Sequence, residues 1–383
     1  MAEVARPPVA AARRVVLKVG TRVLTQDTGR IALSRLFAVV EAAAALRAAG
    51  REALVVTSGA VGLGRDALGL AETPRELAER QACAAVGQTR LMSLYQEGFA
   101  RLGLVCGQVL LTQGDFDDRT SYLNLRGTLG ELLRRGVVPV INENDAVSTE
   151  ELAFVEGEAR PVFGDNDKLS ALVATKLDAD LLLLLTDVDG VYDRDPRKHP
   201  DARRLARVDD AATVLGGAGE PGTKAGRGGM KSKVTAAAIA ARAGCHAVIA
   251  SGREPGAAER VLAGEEVGTW FPAREELDAR ARWIAFAAAP RGSLVLDAGA
   301  VEAVARRGKS LLPVGVRRVE GAFERGDVVV LRGPDGAALG RGVVSCDAEA
   351  ARRWVAGTPP EGVRNHHALV HRDHLVLEGG GGA

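Results

Sequence analysis

Short, almost wholly apolar runs recur along the first 250 residues of the chain, and each contains five to seven residues. A run of this length and composition is typical of a β-strand buried on both faces, as in a parallel sheet covered by helices. The six predicted strands are Val15–Val19, Ala53–Thr57, Val105–Leu111, Val137–Ile141, Leu181–Thr186 and Ala247–Ser251.

Longer amphipathic or alanine-rich stretches lie between these runs and predict helices. The predicted helices are Ser34–Ala49, Arg119–Arg135, Lys168–Leu177 and Met230–Ala243. A glycine directly follows the first, second and fourth of them, where a left-handed C-cap favours glycine. The alternation of strands and helices predicts an α/β domain, a three-layer αβα sandwich with a mainly parallel sheet. Ligands of such sheets bind beyond the carboxyl ends of the strands.

The pattern changes after about residue 275. Short strand-like runs then alternate with turn signals such as Arg325-Gly326-Asp327 and Gly333-Pro334-Asp335-Gly336. The predicted strands in this part are Ser293–Leu296, Val314–Val319, Val328–Arg332 and Gly342–Ser345. We therefore expect an α/β domain over residues 12–275 and a small, mostly β domain over residues 281–378.

Composition adds limits to this picture. The 383 residues favour two domains over one. Lys and Arg number 50 against 49 Asp and Glu, and the formal net charge of +1 gives no general attraction to nucleic acid or anionic membranes. The four cysteines form no CxxC pair, and no apolar run reaches the ~18 residues of a membrane-spanning helix. These features predict a cytoplasmic protein with reduced thiols and no membrane association.

Several common chemical motifs are missing from the sequence. It contains no P-loop GxxxxGK[ST], no HExxH and no GxSxG. The stretch from Gly217 to Gly222 spells GxGxxG, but it contains Pro221 and precedes no immediate helix, so we interpret it as a loop. Polar residues concentrate instead at the carboxyl ends of the predicted strands.

Lys18 lies near the end of the first predicted strand, inside an apolar run. A lysine in such a position is costly unless its ammonium meets an anion. Gly20, two residues later, would let backbone N–H groups approach a phosphate closely. The alternative is a lysine that reaches water from a strand at the edge of the sheet.

The second predicted strand leads into Ser58 and Gly59, and two more glycines follow at Gly62 and Gly64. Three glycines at a strand-to-helix turn predict a group of N–H donors that binds an anion at a helix N-terminus. A tight turn without a ligand also explains the glycines.

Polar residues follow the fourth predicted strand, over Asn142–Asp145, and recur over Gly164–Lys168 at the start of a helix. Amides and carboxylates at a strand end suit an ammonium or hydroxyl ligand. The alternatives are a solvated turn for the first group and a helix N-cap at Asp165 or Asn166 for the second.

Two further stretches suit a nucleotide. Thr186 and Asp187 end the fifth predicted strand, where a sugar or base edge could lie. The loop Gly226–Lys233 opens the last long helix with glycines, and lysines follow in its first turns. Because lysines there oppose the helix dipole unless an anion is bound, this loop indicates phosphate.

Taken together, these stretches resemble the glutamate 5-kinase family of the amino-acid kinase superfamily, in family order and over about residues 13–271. The matching stretches are VLKVGTRVL, VTSGAVGLG, QACAAVGQ, QVLLTQGDF, VVPVINENDAVST, GDNDKLSALVA, LLLLTDVDGVYDRDP and GGMKSKVTAA. The tail from about residue 281 resembles the PUA domain that many bacterial members carry, with SLLPVGV and GAFERGDVV as its recognisable pieces.

The resemblance implies catalytic and substrate-binding roles at matched positions. Lys18 and Lys233 would grip the transferring phosphoryl group, and Asp167 would hold both lysines. Ser58 and Gly59 would meet the substrate and the phosphoryl oxygens. Asp145 and Asn166 would bind glutamate, including its α-ammonium group. The implied ATP contacts are Lys18, Gly20, Thr186, Asp187, Arg227, Gly228, Gly229, Met230, Lys231, Ser232 and Lys233. No side-chain metal site is implied.

The sequence departs from the family pattern at two places. The family usually has Thr at the position of Arg227 and a small polar residue at that of Lys231. The stretch Glu150–Phe163 is longer than the usual link between the NENDAV and GDND motifs. These departures fall in the implied nucleotide loop and in the loop beside the implied glutamate site.

The implied reaction uses ATP and Mg²⁺ to phosphorylate the side-chain carboxylate of L-glutamate, giving L-glutamyl 5-phosphate in the first step of proline biosynthesis. The family also implies a homo-oligomer, feedback inhibition by proline and hand-off of the product to the next pathway enzyme. Alternatives are a sister kinase acting on another carboxylate, or RNA binding through the PUA-like domain. Residues 277–383 hold 15 Lys and Arg against 12 Asp and Glu, a weak footprint for RNA.

Overall fold

The computed structural model describes residues 5–26, 30–112, 114–117, 119–147, 166–215, 229–274, 284, 290–359 and 367–377. The chain divides into two units, Met1–Asp115 with Thr120–Glu276, and Phe116–Arg119 with Leu277–Ala383. Among the described residues, no helix combines the length and the apolar character needed to cross a bilayer.

A seven-stranded sheet forms the centre of the first unit. Its strands are β1 Arg14–Val19, β2 Glu52–Val56, β3 Cys106–Leu111, β4 Val138–Glu143, β5 Leu181–Thr186, β6 His246–Ser251 and β7 Thr269–Phe271. Their order is β3-β4-β2-β1-β5-β6-β7, and all neighbours are parallel except β6 and β7. The six predicted strands are confirmed. The unpredicted β7 has only three residues, too few to give a recognisable pattern.

Helices connect these strands. Those before residue 275 are α1 Pro7–Ala10, α2 Thr21–Leu24, α3 Leu33–Ala48, α4 Ala60–Ala67, α5 Leu77–Arg101, α6 Gly114–Asp117, α7 Arg119–Arg134, α8 Asn166–Lys176, α9 Ala212–Leu215, α10 Met230–Arg242 and α11 Ala257–Leu262. The four predicted helices are confirmed as α3, α7, α8 and α10. The glycines after three of them, Gly50, Gly136 and Gly244, have φ values of +71°, +77° and +82°, as a left-handed C-cap requires. The predicted α/β class is therefore confirmed.

The longest of these helices, α5, was not among the predicted helices. Its buried face carries Cys83, Ala84, Gly87 and Gln88 before the first large apolar side chain, Leu91. Small and polar residues give little periodic hydrophobic signal, although they allow close packing. One apolar cluster packs α3 and α5 against the central strands of the sheet.

The second unit contains a five-stranded sheet with the order β12-β11-β10-β8-β9. Its elements are β8 Gly292–Leu296, α12 Ala298–Val301, a π-helical turn Glu302–Arg306, a 3-10 turn Pro313–Gly315, β9 Val316–Gly321, β10 Val328–Arg332, β11 Ala338–Val344, α13 Ala348–Val355 and β12 Val370–Leu377. Leu294, Val329 and Trp354 belong to its core. The predicted mostly β class of this part is confirmed, with β12 as an additional, unpredicted strand.

Candidate active site

Lys18 lies at the carboxyl end of β1, the central strand of the seven-stranded sheet. Its neighbours in the sheet are Val56 of β2 and Leu184 of β5, so the edge-strand alternative is wrong. The side chain is 2% exposed, and its Nζ donates a hydrogen bond to Oδ1 of Asp167. The anion that compensates the buried ammonium therefore comes from the protein itself.

Asp167 lies in the first turn of α8 and is fully buried. Its Oδ2 accepts hydrogen bonds from Lys233 Nζ at 3.0 Å and from Ser232 Oγ at 2.5 Å. Burial acts to raise the pKa of the Asp167 carboxyl, but the two lysine charges and the hydrogen bonds from Lys18 and Ser232 outweigh it. The pKa is therefore lowered, and Asp167 is ionised at neutral pH.

The strand β1 and the helices α8 and α10 thus bring together what we call the lysine cluster: Lys18, Asp167, Ser232 and Lys233. Two ammonium groups against one carboxylate give the cluster a formal charge of +1. Two buried ammonium groups at the carboxyl ends of parallel strands can bind an anionic ligand. The geometry can therefore hold and polarise a phosphoryl group.

The turn after β2 places Ser58 and Gly59 at the start of α4. Gly59 is the N-cap residue of α4 and has a φ of +104°, a conformation that favours glycine. Just before it, the Thr57 hydroxyl lies 3.0 Å from the hydroxyl of fully buried Tyr95 in α5. The backbone around Ser58 is therefore held from the side of α5.

The interpretation of Gly62 and Gly64 as residues of this turn is wrong, because both lie inside α4. A Cβ on Gly64 would lie 1.7 Å from the carbonyl oxygen of Cys83, and one on Gly87 would lie 1.7 Å from that of Ala60. Gly64 therefore permits a close crossing of α4 and α5 rather than an anion site.

A cavity of about 440 Å³ lies between α5 and the ends of β3 and β4. It is lined mainly by small, amide-bearing and hydroxyl-bearing side chains. The lining residues are Ala60, Ala84, Ala85, Gln88, Thr89, Met92, Ser93, Gln96, Gln108, Leu110, Glu143, Asn144, Asp145 and Ala146. Ala60 directly follows Gly59, so the cavity adjoins the predicted anion-binding turn.

The residues predicted to bind the substrate glutamate lie in different places. Asp145 is buried in the wall of this cavity, in the turn after β4. Asn142 and Glu143 belong to β4 itself rather than to a solvated turn. Asn166 begins α8 beside Asp167 and is buried, but it is not part of the cavity wall. Its Oδ1 has no hydrogen-bond partner within the described ranges.

The predicted nucleotide residues fall in three places. Gly20 follows β1, and its N–H donates to the carbonyl of Leu185 at 3.4 Å. At the end of β5, the Thr186 hydroxyl donates to Asp187 Oδ1 at 3.1 Å, and Arg22 pairs with Oδ2 at 3.4 Å. Burial acts to raise the pKa of Asp187, but its hydrogen bonds and the charge of Arg22 lower it overall.

The remaining predicted nucleotide residues surround the start of α10. Gly229 is the N-cap residue and has no side-chain cap, Met230 is half-buried, and Lys231 is exposed. Arg227 and Gly228 lie outside the described residues, as does the stretch Glu150–Phe163. Within the described ranges, no three His, Cys, Asp or Glu side chains stand close enough to hold a metal ion.

The sequence predicts no role for Gln88. It lies in α5, is 8% exposed, and its Oε1 accepts a hydrogen bond from Asn142 Nδ2 at 2.8 Å. The stretch QACAAVGQ ends on this residue, but a glutamine on an unpredicted helix carries no local sign of chemistry.

Two family matches divide the chain. Residues 13–251 match the Amino acid kinase family, and residues 292–358 match the PUA domain. The chain therefore belongs to the amino acid kinase family and is a kinase with a PUA domain. Membership of this family implies ATP as the phosphoryl donor.

Relatives of nearly the same length show to which family of kinases the chain belongs. The chain is 45% identical to a glutamate 5-kinase of Cyanothece sp., covering 95% of this chain and 99% of the relative. Glutamate 5-kinases of Pseudomonas putida and Thermus thermophilus are each 44% identical over 97% of this chain, and the match covers 100% and 99% of them. The chain thus belongs to the glutamate 5-kinase family, which confirms the resemblance stated from the motifs.

Proposed function

We propose that the protein transfers the γ-phosphoryl group of ATP to the side-chain carboxylate of L-glutamate, giving ADP and L-glutamyl 5-phosphate. The observation that carries this proposal is the lysine cluster, in which two buried ammonium groups lie together and suit a polyanionic donor. The cavity lined by Asp145 supplies a neighbouring site for an amino acid. The names of the relatives support glutamate as that amino acid.

The chemistry needs no general base, because a carboxylate is already ionised at neutral pH. An oxygen of the carboxylate forms a bond to the γ-phosphorus, and the bond from that phosphorus to the bridging oxygen of ADP breaks. Repulsion between the two anions opposes their approach. Cationic groups fixed in place before the reaction therefore provide most of the stabilisation.

In this proposal Lys18 and Lys233 contact the phosphoryl oxygens, and Asp167 fixes their positions. Ser58 and Gly59 offer further donors from the turn after β2. Substrate-binding groups are provided by Asp145 and Asn166. The ATP contacts lie at Gly20, at the end of β5 and around the start of α10.

Mg²⁺ enters this scheme with the nucleotide. Bound with ATP, it would neutralise part of the phosphate charge. The chain's own contribution would be the ammonium groups of the lysine cluster. We expect ADP formation to stop when EDTA removes the metal.

The direct test is a substrate panel with coupled ADP detection. ADP release should require L-glutamate, and hydroxylamine should trap the acyl phosphate as a hydroxamate. Release with aspartate, N-acetylglutamate or carbamate, but not with glutamate, would identify a sister kinase instead. Release without any hydroxamate would exclude an acyl phosphate product.

Other expectations from the sequence and the family resemblance stay predictions. They are a homo-oligomer, inhibition by proline, hand-off of glutamyl phosphate, a cytoplasmic location, and domain limits at 12–275 and 281–378. Proline inhibition is measured by repeating the ADP assay with proline, and salt-sensitive RNA binding in a filter assay would support a role for the PUA domain in RNA recognition.

A further inference from the structure

Gln88 is a buried amide in the wall of the cavity, and only one of its two polar atoms has a partner. Its Oε1 accepts from Asn142 Nδ2 at 2.8 Å. Its Nε2 is buried and has no hydrogen-bond partner in the described part of the chain. A buried donor without an acceptor is costly, and because this one lies in the wall of a cavity, a ligand there can complete the hydrogen bond.

The hydrogen bond to Asn142 uses Gln88 Oε1, whereas Nε2 has no partner among the described residues, so the group that Gln88 offers to a ligand is its N–H₂ donor. Donors of this kind bind carboxylate oxygens. Among the described residues that line the cavity there is no Lys or Arg, and the lysine cluster proposed to contact the phosphoryl group is not in this wall, so the cavity suits the part of glutamate that does not react.

Asp145 lies in the wall of the same cavity. In the proposed function, on which this inference rests, Asp145 is a substrate-binding residue, and its carboxylate suits the α-ammonium group of glutamate. The α-ammonium and α-carboxylate groups share one carbon atom, so the residues that bind them must be close neighbours. We infer that Gln88 Nε2 donates a hydrogen bond to the α-carboxylate of glutamate, making Gln88 a substrate-recognition residue.

The sharpest variant is Gln88→Glu. It keeps an oxygen that accepts from Asn142 but replaces the Nε2 donor by a second oxygen, which repels a carboxylate. We expect the KM for glutamate to rise at least about 10- to 100-fold, the range for a lost hydrogen bond to a charged group. The kcat and the KM for ATP should stay close to wild-type values, because the α-carboxylate does not react.

Gln81→Glu is the matched control, since it makes the same change on the same helix outside the cavity wall. Its KM for glutamate should equal that of the wild type. Gln88→Met removes both amide atoms at similar length and should raise the KM in the same direction. Thermal unfolding of all variants reports on folding.

An unchanged KM for glutamate in Gln88→Glu, with active wild-type enzyme, would overturn this inference and leave the proposed function standing. A fall in kcat at constant KM would also overturn it. Loss of folding in both Gln88 variants would show that Gln88 has a structural role, and this result would also overturn the inference. If the wild type fails to release ADP with glutamate, the proposed function fails and the inference fails with it.

Discussion

Asp167 shares its two carboxylate oxygens among two lysines and a serine hydroxyl, and water does not reach it. Burying three charged groups costs free energy that their mutual attraction only partly returns. Such a group is more easily explained by what it binds than by stability alone. The single carboxylate keeps the lysines apart and oriented while leaving the cluster positively charged.

At this scale we predict that Asp167→Asn lowers both activity and stability. The free energy of unfolding should fall by about 3–5 kcal/mol, since two buried ammonium groups lose the carboxylate that they share. Urea unfolding at pH 7 measures the loss. Asp209→Asn, which alters an exposed pair with Arg207, should change stability little.

The difference in stability between the wild type and Asp167→Asn should depend on pH, because the pKa of Asp167 is lowered in the folded protein. A carboxyl whose folded-state pKa lies below its unfolded value of about 3.9 stabilises the protein above that pH. This contribution is lost as the pH falls from about 4 toward the folded-state pKa. The stability gap between wild type and Asp167→Asn should therefore narrow over this range, and a gap independent of pH would contradict the assignment.

At the scale of elements, α5 connects the predicted substrate cavity to the turn after β2. One side of the helix lines the cavity, Tyr95 meets Thr57 before the turn, and Gly87 crosses α4 at close range. A small displacement of α5 would therefore move several substrate contacts together.

Gly87→Ala should separate α5 from α4, because its Cβ would lie 1.7 Å from the carbonyl oxygen of Ala60. We expect a loss of at least about 1–3 kcal/mol in urea unfolding and a fall in activity. Gly130→Ala is the control, since it lies in α7 with nothing within 4 Å of its Cβ. That variant should gain about 0.5–1 kcal/mol from helix propensity. Equal stability in both variants would refute the close crossing.

How far the sequence predicts each element depends on the kind of signal it carries. Strands buried on both faces, such as Leu181–Thr186, appear as continuous apolar runs, and glycine C-caps such as Gly136 mark helix ends. The helix α5 is not predicted, because its buried face begins with small and polar residues. The strand β7 is not predicted either, because three residues carry no periodicity.

At the scale of the whole chain, the candidate site depends on contacts between distant residues. Lys18 and Asp167 are 149 residues apart in sequence, and Asp167 and Lys233 are 66 apart. Outside the candidate site, Arg6 is another buried side chain with a distant partner, since it donates to the carbonyl of Val267 at 2.6 Å. No local pattern indicates such pairs. The family resemblance implied that Asp167 holds both lysines, and the fold brings the three side chains into contact.

The central claim is that the lysine cluster stabilises the transferring phosphoryl group. The most direct test is Lys233→Ala, with kcat and the KM for glutamate measured by ADP release. We predict that kcat falls about 100- to 1,000-fold, as for loss of one preorganised group at a charged transition state, while KM changes far less. Exposed Lys309→Ala should match the wild type. A kcat near the wild-type value in Lys233→Ala would contradict the account.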